Sequence, residues 1–205
     1  MPHKNVALLG GLPLVAHTIR YALEHPLIRG VYVSTDADHI AATARSHGAE
    51  IIDRPAELAT DHATTSVVLH HALGWIERTH SVDAIATLQP TSPLRLDRWL
   101  DECTAVLEDP RFDSAVTVSP VTAKVGTVEG GAFRPQYRLE TRSQDQDRRF
   151  RENGAIYLSR SVTIASGSVF GSEIGAVITD HLYANIDIDT EADLAYATAV
   201  IGVVT

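Results

Sequence analysis

The sequence is short of three things. It has one cysteine, Cys103, in 205 residues. No disulfide framework can form, so a cytoplasmic protein is expected, with Cys103 packed as a small hydrophobe on a helix face. It has no apolar run near the roughly 20 residues of a membrane-spanning helix, and no secretory signal opens it. A membrane partner is therefore not expected. It has only two lysines, Lys4 and Lys124, against fifteen arginines. The formal net charge is −9, which argues against broad binding to nucleic acid or anionic membranes. An anionic substrate would need cations placed locally.

The cations that are present are unevenly spread. Arg134, Arg138, Arg142, Arg148, Arg149 and Arg151 fall in one short segment. A run of this kind is commonly a solvated loop. A forked guanidinium also suits carboxylate and phosphate oxygens, and the functional reading is an anion-gripping arm.

The rest of the chain alternates helix and strand patterns. Val15, Ile19, Ala22 and Leu23 lie at helical spacing, and Pro26 helps to stop that helix. A strand, "GVYVSTD", follows. "DADHIAATARSHG" reads as a helix ended by Gly48. "AEIIDRP" is a strand, and the next helix carries Leu69, Ala72, Leu73 and Ile76 on one stripe. "DAIATLQPTSPLR" is a strand that breaks at Pro90 and Pro93. A helix with Leu100, Cys103 and Leu107 facing inward precedes the strand "DSAVTVSPV". Gly10 and Gly11 read as a turn before the first helix. His70 and His71 lack metal-ligand spacing and read as structural or solvent-facing.

This alternation predicts an α/β fold. The expected sheet is mostly parallel and Rossmann-like, with helices on both faces. Residues 120–152 break the pattern and read as an inserted arm; "GAIYLSR" and "NIDID" return to strand character. The length suits one domain, 1–205, with that arm as a sub-lobe. Ligands of open parallel sheets sit beyond the carboxyl ends of the strands. "STD", "LQPTSP" and "DIDT" all carry polar residues at such ends.

The stretch "YANIDIDTEADL" bears most directly on chemistry. Extended backbone would send Ile186 and Ile188 one way, and Asn185, Asp187 and Asp189 the other. Neighbouring carboxylates on one face lie about 7 Å apart. Both can lean toward one divalent cation, or one ligates while the other positions a water. The bland alternative is an edge strand with a wet face. Thr190 with Asp193 suits the cap of a following helix.

Four phrases, "RPAELATDHATTS", "LQPTSPLR", "NGAIYLS" and "IDIDTEADL", occur in that order. Together they resemble the acylneuraminate cytidylyltransferases, the CMP-sialic acid synthetases, along essentially the whole chain. The resemblance implies a nucleotidyltransferase that uses CTP, Mg2+ and an acidic nine-carbon 2-keto sugar, and releases pyrophosphate. It implies a metal at Asp187 and Asp189, and a nucleotide pocket of Lys4, Asn5, Arg54, Ala63, Thr64 and Thr65. It implies acceptor contacts from Gln89, Lys124, Tyr157 and Phe170. It also implies a homodimer joined through the arm.

Two departures qualify it. The family has a strand and an A-R-x-x-S-K loop ahead of "PxKN", whereas Met1 stands directly before "PHKN". One alternative is therefore a weakly active or inactive homologue, to which adding back such an upstream loop would restore turnover. The family's carboxylate-binding arginine aligns with Ser143, leaving Arg142, Arg149 or Arg151 as stand-ins. A cytidylyltransferase for another acid, such as KDO or a phosphonate, is therefore an alternative. A further alternative is a glycosyltransferase using Asp187-Ile188-Asp189 as a D-x-D metal grip.

Overall fold

The computed structural model describes residues 1, 3–60 and 62–204, without the side chains of Ser143, Val203 and Val204. After a one-turn helix at Lys4–Val6, a small hairpin pairs β1 (Leu8–Leu9) with β2 (Leu12–Pro13). Gly10 and Gly11 turn it with φ of 57° and 84°, the left-handed region where a Cβ is unfavourable. Then follow α1 (Leu14–Glu24), β3 (Tyr32–Thr35), α2 (Asp38–Ser46), β4 (Glu50–Asp53), α3 (Thr65–Ile76), β5 (Ala84–Thr87) and α4 (Asp97–Glu108). The second half contains β6 (Ser114–Val121), β7 (Gly126–Glu129), β8 (Ala132–Pro135), β9 (Arg149–Arg160), α5 (Ser161–Ala165), β10 (Ile174–Ile178) and α6 (Glu191–Val204).

The strands form a four-stranded sheet ordered β10-β6-β9-β5, and a separate pair, β3-β4. β10–β6 and β3–β4 are parallel. β9 runs against both β5 and β6, so the larger sheet is mixed. The reason is the arm. β6 leads into it and β9 returns from it, as the two legs of a long hairpin, and hairpin legs are antiparallel. A helical crossover would have made them parallel. The β7–β8 hairpin lies at the tip of the arm, turned by Gly130 and Gly131 at φ 55° and 82°.

Strand alternation divides the helices between the two faces. Val33 and Ile51 pack on α1 through Val15 and Ile19, while Tyr32 and Ile52 pack on α3 through Ala72 and Ile76. Ala84 and Ala86 of β5 join the core beneath α4, and Ile85 faces α3 and α5. That core centres on Trp99, with Leu100, Cys103 and Leu107 from α4. Burial raises the Cys103 thiol to about 12, so it stays protonated and packs as a hydrophobe. Leu23 departs from its expected inward place: it is half exposed, because α1 narrows its buried stripe at that end. No helix among the described residues is long and apolar enough to cross a membrane.

Candidate active site

The ends of the parallel strands β3 and β4 lie side by side, Thr35 opposite Asp53. β3 ends at Thr35 and Asp36, β4 at Asp53 and Arg54, and β5 runs into Leu88–Leu94. Residues 186–188 do not form the expected strand. They are extended, with a single ladder-like bond from Ile188 N to Thr91 O (2.8 Å), after a one-turn helix at Leu182–Asn185. The alternation still holds. Ile186 and Ile188 are buried with Leu9, Leu14, Ala197 and Val200, while Asn185, Asp187 and Asp189 are exposed. Burying two isoleucines against α6 and the β1–β2 hairpin aims the two carboxylates outward.

Asp189 begins the turn into α6. Asp193 accepts from Thr190 N (2.8 Å), Thr190 Oγ1 (2.8 Å) and Asp189 N (3.2 Å), and its own N–H donates to Thr190 Oγ1. This reciprocal cap fixes the backbone beside the metal-ligand candidates. Its hydrogen bonds, first of all from the Thr190 side chain, hold the Asp193 carboxyl below the usual range. A depressed folded pKa contributes stability above the unfolded value of about 3.9 and loses it as pH falls through the folded value. The Tm deficit of Asp193→Ala should accordingly be largest near neutrality and shrink below about pH 4. Melting curves at stepped pH would read this, and a deficit that does not vary with pH would contradict it.

Lys4 reaches across the fold to Asp189, with Nζ 2.5 Å from Oδ1. His3 beside it meets His39 of α2 (Nδ1 to Nε2, 3.3 Å), which links this corner to the end of β3. On the other side, Tyr157 OH donates to Glu152 Oε2 at 3.2 Å, and its ring meets Phe170 edge-on at 5.8 Å. Burial, then the charge and hydrogen bond of Glu152, then Asp187, push the phenol up to about 12. Tyr157 thus keeps its proton at neutral pH, close to the carboxylates of Glu152 and Asp187. Arg151 Nη2 donates to Asn185 Oδ1 at 3.1 Å, on the face that carries Asp187.

A wide bulge shapes this wall. Between the pairs Val116–Tyr157 and Val118–Glu152, one residue of β6 opposes residues 153–156 of β9. The slack is taken up by buried Asn153. Its Oδ1 accepts from Thr117 Oγ1 (2.7 Å) and Ala155 N (3.2 Å), and its Nδ2 donates to Ser119 Oγ (2.9 Å) and Thr179 Oγ1 (2.7 Å). Gly154 follows at φ 73°. A Cβ there would lie 2.6 Å from Gln89 Oε1 and 2.9 Å from Ser92 Oγ, so a larger residue would be strained in φ and would push both side-chain ends of the loop after β5 aside.

Residues 1–193 match the family described as Cytidylyltransferase. The chain is 30% identical over 207 residues to a CMP-N,N'-diacetyllegionaminic acid synthase from Legionella pneumophila, across 95% of this chain and 88% of that one. The chain belongs to the cytidylyltransferase family. It is 27% identical to N-acylneuraminate cytidylyltransferase A of Danio rerio across 94% of its own length, but spans 46% of that protein. The structure of a CMP:2-keto-3-deoxy-manno-octonic acid synthetase complexed with CTP superposes with a TM-score of 0.73 at 17% identity, covering 100% of this chain and 94% of that one. A 4-diphosphocytidyl-2C-methyl-D-erythritol synthase from Anaerococcus prevotii gives 0.68 at 12%, covering 95% and 88%. These two likenesses bear on the fold, which is that of an α/β nucleotidyltransferase.

Within this cytidylyltransferase, the remaining candidates fall into separate groups. Arg54 donates to Ser34 Oγ (3.2 Å) and Ser34 O. It lines a cavity of about 530 Å³ with Thr35, Asp36, Asp38, Arg45 and Asp53. Ala63, Thr64 and Thr65 lead into α3, where Thr64 Oγ1 pairs with Ser66 Oγ at 2.8 Å. Asn5 lies beside Lys4 in the first one-turn helix. Lys124 and Arg142 lie in the arm. Lys124 Nζ sits 5.4 Å from the Tyr137 ring centre, and Arg142 pairs with Asp145 at 3.3 Å. Neither partner belongs to the Asp187–Asp189 corner.

Among the described residues, no cluster of three His, Cys, Asp or Glu is placed to hold an ion. Two exposed carboxylates do fit Mg2+, which keeps several waters and takes one or two carboxylates together with substrate phosphates. Residue-pattern reading missed Glu152, Asn153, Gly154 and Arg95. The available signal was Asn-Gly inside a strand pattern, which marks a bulge or a close backbone approach.

Proposed function

We propose that this cytidylyltransferase moves CMP from CTP to the anomeric hydroxyl of a sialic-acid-type 2-keto acid sugar and releases pyrophosphate. The observation that carries the reading is the corner where Asp187 and Asp189 are exposed two residues apart, Asp189 paired with Lys4 and Asp187 near Tyr157, whose ring meets Phe170. Carboxylates and a cation serve the phosphate side, and a phenol and an apolar ring serve a sugar.

Asp187 and Asp189 would hold Mg2+, which supplies charge neutralisation on the triphosphate when bound. Lys4 keeps an ammonium at the same edge. Arg54 and its cavity, with Asn5 and Ala63–Thr65, would take the nucleotide. Tyr157, whose proton goes to Glu152, offers its hydroxyl oxygen to accept a hydrogen bond from the acceptor, Phe170 packs on its acyl group, and Gln89 contacts its hydroxyls. Arg151 is favoured over Arg142 for the acceptor carboxylate, because it stands by Asn185 while Arg142 is paired within the arm. Exposed Val128, Phe133 and Leu139 on the arm favour a homodimer built there.

The test is incubation with CTP, Mg2+ and N-acetylneuraminate, with detection of the CMP-sugar and pyrophosphate. Turnover that disappears with EDTA and returns with Mg2+ is expected. A panel with N,N'-diacetyllegionaminate, KDO and a phosphonate reads the acceptor, because Ser143 stands where the family has its carboxylate-binding arginine. Tight binding of a UDP-sugar with no response to CTP would overturn the reading in favour of a D-x-D glycosyltransferase.

A further inference from the structure

Arg95 is a buried charge without an acidic partner. It is 8% exposed, and none of the ion pairs among the described residues includes it. Such a charge persists only if its donors find acceptors. Here they find three, on three different elements. Nε donates to Ala155 O in the β9 bulge (2.7 Å), Nη2 to Gln89 O in the loop after β5 (2.7 Å), and Nη1 to Thr18 Oγ1 on α1 (3.1 Å). The guanidinium carbon also lies 5.8 Å from the centre of the Tyr21 ring. Burial lowers its pKa to about 9, which leaves it charged at neutral pH.

Packing alone does not call for this arrangement, because an apolar residue of similar volume commonly replaces a buried ion without loss of stability. What an apolar residue cannot do is hold two carbonyls at a set spacing. Lysine would be a poor substitute, since its ammonium lacks the planar fork that reaches separate acceptors in fixed directions. Both carbonyls that Arg95 holds belong to segments touching the candidate acceptor side. The Gln89 carboxamide rests against Gly154, and Ser92 Oγ donates to Asn153 O at 3.3 Å. The bulge itself lies between Glu152 and Tyr157, which share a hydrogen bond.

We propose that Arg95 is a positioning residue: it clamps the loop after β5 onto the β9 bulge and thereby aims the Gln89 carboxamide into the acceptor pocket. The proposal rests on the reading of Gln89 as an acceptor contact. It assigns to Arg95 an effect on the acceptor and not on CTP, because its anchors are Gln89, Ala155 and Thr18, none of which lines the Arg54 cavity.

The experiment compares Arg95→Lys, Arg95→Met, Gly154→Ala and Thr18→Val with the parent chain. Arg95→Lys should raise the acceptor KM about tenfold or more, since small misplacements of binding groups are costly, while the KM for CTP stays within about twofold. Gly154→Ala should give the same split, because its Cβ would displace Gln89 Oε1 directly. Thr18→Val, which removes only the third anchor, should give a smaller split of the same sign. Variants that lower Tm while both KM values stay unchanged, or rise together, would overturn the proposal. If the Arg95 variants do not fold, Gly154→Ala and Thr18→Val decide it by the same criterion. If the parent chain transfers CMP to no acid acceptor, the functional reading fails separately. The clamp is then judged by amide hydrogen exchange in Arg95→Lys: faster exchange confined to residues 89–92 and 153–155 supports it, and unchanged exchange there refutes it.

Discussion

Asp189→Ala is expected to lower kcat on the order of a thousandfold, the scale of losing a group that stabilises charge only in the transition state. The side chain is exposed and its ion pair with Lys4 is at the surface. Such pairs contribute between about 0 and 1 kcal/mol, so Tm should move little. The neighbouring backbone is held independently, by Ile188 in the core and by the Thr190–Asp193 cap. Asp189→Asn keeps the shape and removes the charge, and should be nearly as slow. Both variants should need more Mg2+ to reach half their residual rate. Steady-state kinetics across a Mg2+ titration would check this. A variant with normal kcat and an unshifted Mg2+ requirement would remove Asp189 from the reaction.

Asn153→Ala should be the most damaging single change to the fold near the site. Its carboxamide is enclosed and makes four hydrogen bonds, two within the bulge and two to Ser119 and Thr179 beside it. Without it, Ala155 N loses its bond to Oδ1, and Thr117, Ser119 and Thr179 each lose a partner. A buried polar group left unpaired costs about 1–3 kcal/mol. The three hydroxyls keep other bonds, to Ile156, Ala184 and Val118, so the sum should be about 3 kcal/mol. For a chain of this length that corresponds to a Tm loss of about 10 °C. Activity should fall further than Tm alone requires, because Gly154 and Tyr157 are carried by the same bulge. Denaturation by heat and by urea, with kinetics measured below the transition, separates the two effects. A Tm within about 2 °C of the parent would show that the bulge does not depend on Asn153.

How far the site could be read from residues alone depends on the range of the interaction. Ile186 and Ile188 alternating with Asp187 and Asp189 is a local fact, and the tertiary structure kept it even though the segment is not a ladder strand. The Thr190–Asp193 cap spans three residues and was equally readable. The stripes of α3 and α4 came through for the same reason, since helical periodicity alone chooses the buried face. Leu23 did not, because which turn of α1 leaves the core depends on the elements packed against it.

The direction of β9 was not readable. A strand pattern does not say whether its neighbour is reached by a helical crossover or by a hairpin arm, and that choice made the larger sheet mixed. Glu152 was missed because its partner, Tyr157, comes within reach through a bulge that puts four residues opposite one. Arg95 closed a phrase already singled out, yet its contacts lie 6, 60 and 77 residues away.

The sequence by itself determined the α/β class, the outward-facing acid pair and its capped helix, because these follow from backbone periodicity and hydrogen bonds within a few residues. The tertiary structure alone decided that Lys4 meets Asp189, that the arm's legs are antiparallel, and that Gln89, Gly154 and Arg95 interlock. Those depend on which distant surfaces exclude water together, and on a buried charge having acceptors on three elements at once.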